Sequence, residues 1–214
     1  MSYEYLFFDL DGTLTDPAEG ITNSVVHALK KWGIEVGDKR ELYCFIGPPL
    51  SASFKKYYGF SDSEALLCVE YYREYFRDRG IFENKVYGGI PELLERLRSE
   101  GKKIVLATSK PEIFAKQILD HFDLTKYFDF VAGASMDESR NKKADVIRYA
   151  IDSLEIKDVS AVLMIGDREQ DMTGARANGL DALGVLYGYG DRSELEGAGA
   201  KCVAETVEDI LRFV

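Results

Sequence analysis

A chain of 214 residues with 46% apolar and 12% aromatic side chains can bury one core plus a smaller appended unit, which argues against extensive disorder. Its formal charge of −10 disfavours nucleic acid as a partner and cannot steer anionic substrates inward, so any attraction for phosphate must come from local cations or a metal ion. No cationic segment leads into a long apolar stretch and no run approaches a bilayer span, so a cytoplasmic protein without a membrane partner is expected; Cys44, Cys68 and Cys202 are too widely spaced for a metal set and read as inert thiols.

Tyr5-Leu6-Phe7-Phe8 reads as a buried strand, and it ends in Asp9-Leu10-Asp11-Gly12-Thr13. In extended backbone, residues i and i+2 face the same side, and Gly12 permits a sharp turn, so Asp9 and Asp11 should emerge together at the strand's carboxyl end. Open α/β sheets place their ligands there. Two carboxylates so close repel each other, which implies a bound cation, a shared proton or both.

The next stretch, 17–87, is far too long for a simple connection and reads as a helical insertion. Ile21, Val25, Val26, Leu29 and Trp32 recur at helical spacing, Gly47-Pro48-Pro49 breaks the pattern, and Ser61-Asp62-Ser63-Glu64 offers a capping box ahead of Ala65, Val69, Tyr72 and Phe76. His27 and His121 sit in helix-like segments without partners that could complete a metal site. The expected organisation is therefore a core of 1–16 and 88–214 with a helical cap of 17–87.

After a helix beginning near Pro91 and stopped at Gly101, apolar strands alternate with amphipathic helices: Lys103 to Ala107, Pro111 to His121, Phe130 to Ala132, Lys143 to Leu154, Ala161 to Ile165 and Asp171 to Asn178. Short strands near Ala182 to Leu186 and Lys201 to Val203 precede a last helix around Thr206 to Phe213. This rhythm predicts an α/β fold with a parallel, Rossmann-like sheet. The strand at Ala161 to Ile165 runs into Gly166-Asp167-Arg168-Glu169-Gln170-Asp171, so a second strand end, remote in sequence, also presents carboxylates.

In order and spacing, the Asp9-x-Asp11 segment, Thr108 after its strand, Lys143 at a helix start and the Asp167/Asp171 pair resemble the haloacid dehalogenase superfamily, and the insertion after the first segment resembles its phosphoglycolate phosphatase-like branch. The resemblance implies that Asp9 is a nucleophile forming an aspartyl-phosphate, and that Asp11 first protonates the leaving oxygen and then activates water. It implies Mg²⁺ held by the carboxylates of Asp9 and Asp167 and the backbone carbonyl of Asp11, with Asp171 supporting that shell by orienting Lys143 or a bound water, direct ligation being the alternative. Gly12 and Thr108 would contact the phosphoryl group, Ser109 and Lys110 phosphate or substrate, and Gly47 in the cap the leaving group. Lys143 is preferred over the adjacent Lys142 as the phosphate-neutralising cation.

The function so implied is a Mg²⁺-dependent phosphatase acting on a small phosphorylated metabolite beneath a mobile cap, with phosphoglycolate the most specific candidate and nucleoside 5'-monophosphates the alternative. A sugar phosphomutase is disfavoured by Ile21, which stands where those enzymes carry a cap histidine, and a dehalogenase by Asp11; a non-catalytic phosphate-binding regulator would waste a full catalytic set. The oligomeric state is left open.

Overall fold

The computed structural model describes residues 3–137 and 139–214; Met1, Ser2 and Glu138, which fall within the expected core, lie outside the described residues. Contacts divide the chain into two compact units, one of Met1–Asp16 with Val86–Val214 and one of Pro17–Lys85.

The larger unit is built on β1 (Tyr5–Phe8), the two-residue β2 (Thr15–Asp16), and, after the insertion, β3 (Lys85–Val86); β2 and β3 pair as a separate short sheet at the points where the chain leaves and returns. The insertion contributes α1 (Ala18–Lys30), α2 (Leu50–Tyr58) and α3 (Asp62–Tyr75). Then follow α4 (Ile90–Ser99), β4 (Lys103–Pro111), α5 (Glu112–His121), β5 (Phe130–Ala134), α6 (Lys143–Ser153), β6 (Val162–Gly166), α7 (Glu169–Ala177), β7 (Asp181–Val185), α8 (Arg192–Ala198) and β8 (Cys202–Ala204).

Six of these strands form one sheet in the order β5-β4-β1-β6-β7-β8, with every neighbouring pair parallel. Both faces are covered. Leu6, Phe7 and Phe8 are all fully buried although they alternate sides, the apolar run expected of a central parallel strand. On one face Phe7, Val105, Ala107 and Met164 pack against Val146, Ile147 and Ala150 of α6 and Met172 and Ala175 of α7. The consequence for function is topological: the chain builds outward from β1 in both directions, so the carboxyl ends of β4, β1 and β6 flank the switch point where such sheets bind ligands.

Most elements follow the sequence pattern, with differences at their ends. Pro111 was expected in the first helical turn but closes β4 with extended backbone (φ −51°, ψ 130°) and serves as the N-cap of α5, consistent with its missing N–H. Helix α7 starts at Glu169 rather than Asp171, because the Asp171 carboxylate turns back and accepts a hydrogen bond from the Arg168 N–H at 3.1 Å, which satisfies a backbone donor at the helix start. The expected last helix is only a 3₁₀ segment, Glu208–Arg212. Helix α8 carries no pattern long enough to announce it; Asp191 caps it by accepting from the Glu194 N–H at 2.8 Å.

Within the smaller unit, α1 buries Ile21, Val25 and Leu29 on one face, and Trp32 lies beyond its end. The capping box of α3 forms as the sequence suggested, with Ser61 and Glu64 each accepting from the other's backbone N–H. Phe45, Phe54 and Phe60 make the aromatic centre of this unit, Phe45 and Phe54 meeting edge-on at 4.9 Å between centroids. Cys68 is buried here and its thiol is pushed up to about 11 by burial, so it stays protonated and unreactive. His27 pairs with Glu74 at 3.1 Å, an ordinary surface contact. Among the described residues no helix is long and apolar enough to cross a membrane.

Candidate active site

The loop after β1 is fixed by its own backbone. Asp9 continues the ladder by donating its N–H to Ile165 O at 2.9 Å, while Gly12 N–H reaches Thr15 O at 2.7 Å and Leu14 N–H reaches Leu10 O at 2.9 Å. Gly12 sits at φ +83°, and a Cβ there would lie 2.1 Å from Asp167 Oδ2, so both the turn and the approach of Asp167 require glycine. The expected tight turn therefore has a second purpose: it lets the end of β6 close on the end of β1.

Four buried carboxylates converge there: Asp9, Asp11, Asp167 and Asp171. Oxygens of Asp9, Asp167 and Asp171 lie within 4.8 Å of one another, a spacing that could hold one metal ion. The carboxylate of Asp11 is outside that group; its Oδ2 lies 2.8 Å from Lys110 Nζ, a buried pair that the sequence reading did not anticipate. Asp171 has the geometry for either of its expected roles. It is close enough to belong to the metal set, and its Oδ1 lies 2.8 Å from Lys143 Nζ.

Lys143, the first residue of α6, is buried and places its ammonium 2.8 Å from Asp9 Oδ1 and 2.8 Å from Asp171 Oδ1 while donating a hydrogen bond to Ala107 O at 2.9 Å. One buried ammonium thus bridges both carboxylates. Lys142 is exposed at the N-cap of the same helix, so of the two lysines only Lys143 enters this cluster.

The electrostatics are those of a site short of positive charge. With all four ionised, the carboxylates facing two ammoniums leave an excess of two negative charges, which a single divalent cation would neutralise. Burial, then repulsion from Asp171 and Asp9, holds the Asp167 carboxyl well above the usual carboxylate range. Burial likewise raises Asp171 to about 6 and raises Asp11, in each case against the pull of its lysine, Lys143 or Lys110. Burial works against the charge of Lys143, but Asp171 and Asp9 outweigh it and keep the ammonium protonated. The all-oxygen donor set of Asp9, Asp167 and Asp171 fits a hard divalent cation.

Thr108 lies within β4, which runs on past the expected end at Ala107 and shifts register against β5 between Thr108 and Pro111; it is buried, and its Oγ1 accepts from the Lys110 N–H at 3.2 Å, leaving the hydroxyl proton to donate elsewhere. Ser109 between them is half-buried. Gly47 belongs to the smaller unit, where it adopts φ +101°. Sequence reasoning missed the segment after β7: Tyr189 donates its N–H to Asp167 Oδ2 at 2.8 Å, and Tyr187 donates its hydroxyl to Thr13 O at 3.0 Å. The available signal was Tyr187-Gly188-Tyr189-Gly190 at a further strand end, but the contact to Asp167 comes from main chain and leaves no side-chain signature.

Comparison with known proteins identifies the family. The family model for "Haloacid dehalogenase-like hydrolase" matches residues 6–185. A 5'-nucleotidase from Pseudomonas aeruginosa is 47% identical across 91% of this chain and 88% of its own, and the tyrosine-protein kinase PtkA of Mycobacterium tuberculosis 37% identical across 98% and 72%. A phosphoglycolate phosphatase from Aquifex aeolicus is 30% identical across 86% and 85%. The crystal structure of a "predicted phosphatase" from Clostridium acetobutylicum superposes with a TM-score of 0.97 at 50% identity, over 99% of this chain and 98% of the other. The chain therefore belongs to the haloacid dehalogenase-like hydrolases, among those that cleave phosphate esters.

Proposed function

We propose that the protein is a Mg²⁺-dependent phosphatase that hydrolyses a small phosphomonoester through an aspartyl-phosphate on Asp9. The observation that carries this reading is the two-charge deficit of the buried cluster Asp9, Asp11, Asp167 and Asp171 against Lys110 and Lys143. Asp9 and Asp167 would hold the ion, with Asp171 in reach and the Asp11 backbone carbonyl as a further ligand. When bound, the ion supplies charge neutralisation for the incoming phosphate and the equatorial oxygens.

The steps follow from the side chains. An Asp9 oxygen attacks phosphorus as the P–O ester bond breaks, and the proton carried by Asp11 passes to the departing alkoxide. Burial, which raises Asp11, favours that protonated form despite Lys110. Water then attacks the acyl phosphate, Asp11 takes its proton, and orthophosphate leaves with Asp9 regenerated. Lys143 restrains Asp9 and shields its charge from Asp171, and Thr108 donates to a phosphoryl oxygen.

For the substrate, the 47% identity to a 5'-nucleotidase over most of both chains supports a nucleoside 5'-monophosphate ahead of phosphoglycolate, whose named relative is 30% identical. Selection of the leaving group is assigned to the helical unit, including the Gly47-Pro48-Pro49 turn. The test is phosphate release with Mg²⁺ across nucleoside monophosphates, phosphoglycolate and sugar phosphates, with ATP plus a tyrosine peptide as the kinase arm. Turnover that is lost in Asp9→Asn and in EDTA, and restored by Mg²⁺, supports the reading. A folded protein that releases phosphate equally well after verified metal removal, or from none of these esters, contradicts it.

A further inference from the structure

We infer that the segment Tyr187–Glu194, which runs from the turn after β7 into the first turn of α8, is a positioning element for Asp167, with Tyr189 and Glu194 as its working residues. The inference rests on the metal-holding reading of the acidic cluster and extends it to residues outside that cluster. Asp167 carries no ion pair to either site lysine among the described residues, yet it is fully buried, so its orientation must be imposed by hydrogen bonds and packing.

Those restraints arrive from one segment. Tyr189 gives its main-chain N–H to Asp167 Oδ2 at 2.8 Å and anchors its own hydroxyl on Asp16 Oδ1. The Tyr187 hydroxyl holds Thr13 O at 3.0 Å, and the Thr13 hydroxyl in turn donates to Asp167 Oδ1 at 3.3 Å, so both oxygens of Asp167 are addressed, one directly and one through Thr13. Gly188 makes the approach possible: a Cβ there would stand 2.4 Å from both Asp167 Cβ and Gly12 O. At the far end of the segment, Glu194 Oε1 accepts from Arg168 Nε at 2.8 Å and from the Glu169 N–H at 2.9 Å, gripping the two residues that follow Asp167. Such outer contacts set the affinity of the ligand they orient, and their loss typically costs about 10–100-fold in metal binding.

A packing role alone would lower thermal stability and leave metal affinity untouched, so the test measures both. Mg²⁺ binding to the 214-residue chain is read by titration calorimetry, without substrate, for wild type, Tyr189→Phe, Glu194→Gln, Glu194→Leu and the control Arg192→Ala, a residue of the same segment whose side chain ion-pairs with exposed Glu196 and Glu205 rather than with Asp167, Arg168 or Glu169. Glu194→Leu should weaken binding about 10-fold or more and Tyr189→Phe by a smaller factor. Glu194→Gln, which keeps an acceptor for the Glu169 N–H but loses the charge facing Arg168, should fall between wild type and Leu. Arg192→Ala should bind as wild type does. Wild-type Kd values in folded Tyr189→Phe and Glu194→Gln, with only the melting temperature lowered, overturn the inference. A wild-type protein that binds no Mg²⁺ overturns the metal reading itself, and this inference with it.

Discussion

Replacing Asp167 with Asn should make the metal-free protein more stable while removing its response to Mg²⁺. The Asp167 carboxylate lies within 4.8 Å of both Asp9 and Asp171. At an effective dielectric of ~20, one like-charge pair at that separation repels by roughly 3.5 kcal/mol. Lys143 already neutralises part of the field of Asp9 and Asp171, and protonation of Asp167 relieves the rest at its own cost, so the net gain from the neutral amide is about 1–3 kcal/mol. In a chain of this size that corresponds to a rise in Tm of roughly 2–12 °C. The amide keeps the local bonds: its oxygen can accept from the Tyr189 N–H, and its NH₂ can donate to the Thr13 hydroxyl.

Saturating Mg²⁺ reverses the order, because a ligand at about 100 times its Kd stabilises by ~2.7 kcal/mol a protein that holds it and leaves the amide variant nearly unmoved. The pH dependence has a definite sign. Asp167 has a folded pKa above its unfolded value, so the folded wild type holds the extra proton between the two and loses stability as pH rises through that window. The gap between variant and wild type should therefore open with rising pH and close below about pH 4, where the carboxyl is protonated in both states. Calorimetric melting in EDTA and in MgCl₂ across that range is the assay. An Asn variant less stable than wild type in EDTA at pH 7, or one that gains as much from Mg²⁺, refutes the reasoning.

Lys143→Met leaves Asp9 and Asp171 buried without their shared cation and should cost about 3–5 kcal/mol with loss of turnover, whereas Lys142→Met should change neither; equal effects in chemical denaturation and phosphate release would remove Lys143 from its assigned place. Gly12→Ala drives a methyl to 2.1 Å from Asp167 Oδ2, so turnover should fall by ~100-fold while the left-handed backbone itself costs only about 1–2 kcal/mol; a variant with wild-type kcat would show that Asp167 tolerates displacement. Asp11→Asn should slow both halves of the reaction, and with an ester whose leaving group needs no acid the phosphoenzyme should accumulate in rapid-quench experiments; wild-type decay of that intermediate would deny Asp11 the hydrolytic role.

How far the sequence reached depends on which atoms carry each contact. Asp9, Asp11 and Asp167 were legible because a carboxylate at the end of an apolar strand contradicts its surroundings, and period-two alternation already says which side of the strand it leaves by. Lys143 and Lys142 were inseparable by type. They are separated by position, since Lys143 opens α6 against Gly174 of α7, where a Cβ would meet Lys143 Cγ at 2.8 Å, whereas Lys142 is the exposed N-cap. Asp171 has two environments at once, the helix start it caps and the cluster it faces, and either one alone accounts for an Asp at that position. The Lys110–Asp11 pair joins residues that only the adjacency of β4 and β1 brings together, so no local pattern encodes it.

The hardest residues to read were those that act through main chain. Tyr189 reaches Asp167 with its N–H, a group that every residue but proline carries, so the identity of the side chain says nothing about the bond. What the sequence does record is the room left for that bond: Gly188 and Gly190 flank Tyr189, and a Cβ on Gly190 would come within 2.1 Å of Asp167 O, as one on Gly188 would come within 2.4 Å of Asp167 Cβ. Alternating glycines just past a strand end in this sheet therefore report close approach by another strand's functional loop, and the partner can be named from topology alone, because β7 pairs with β6 and Asp167 directly follows the end of β6.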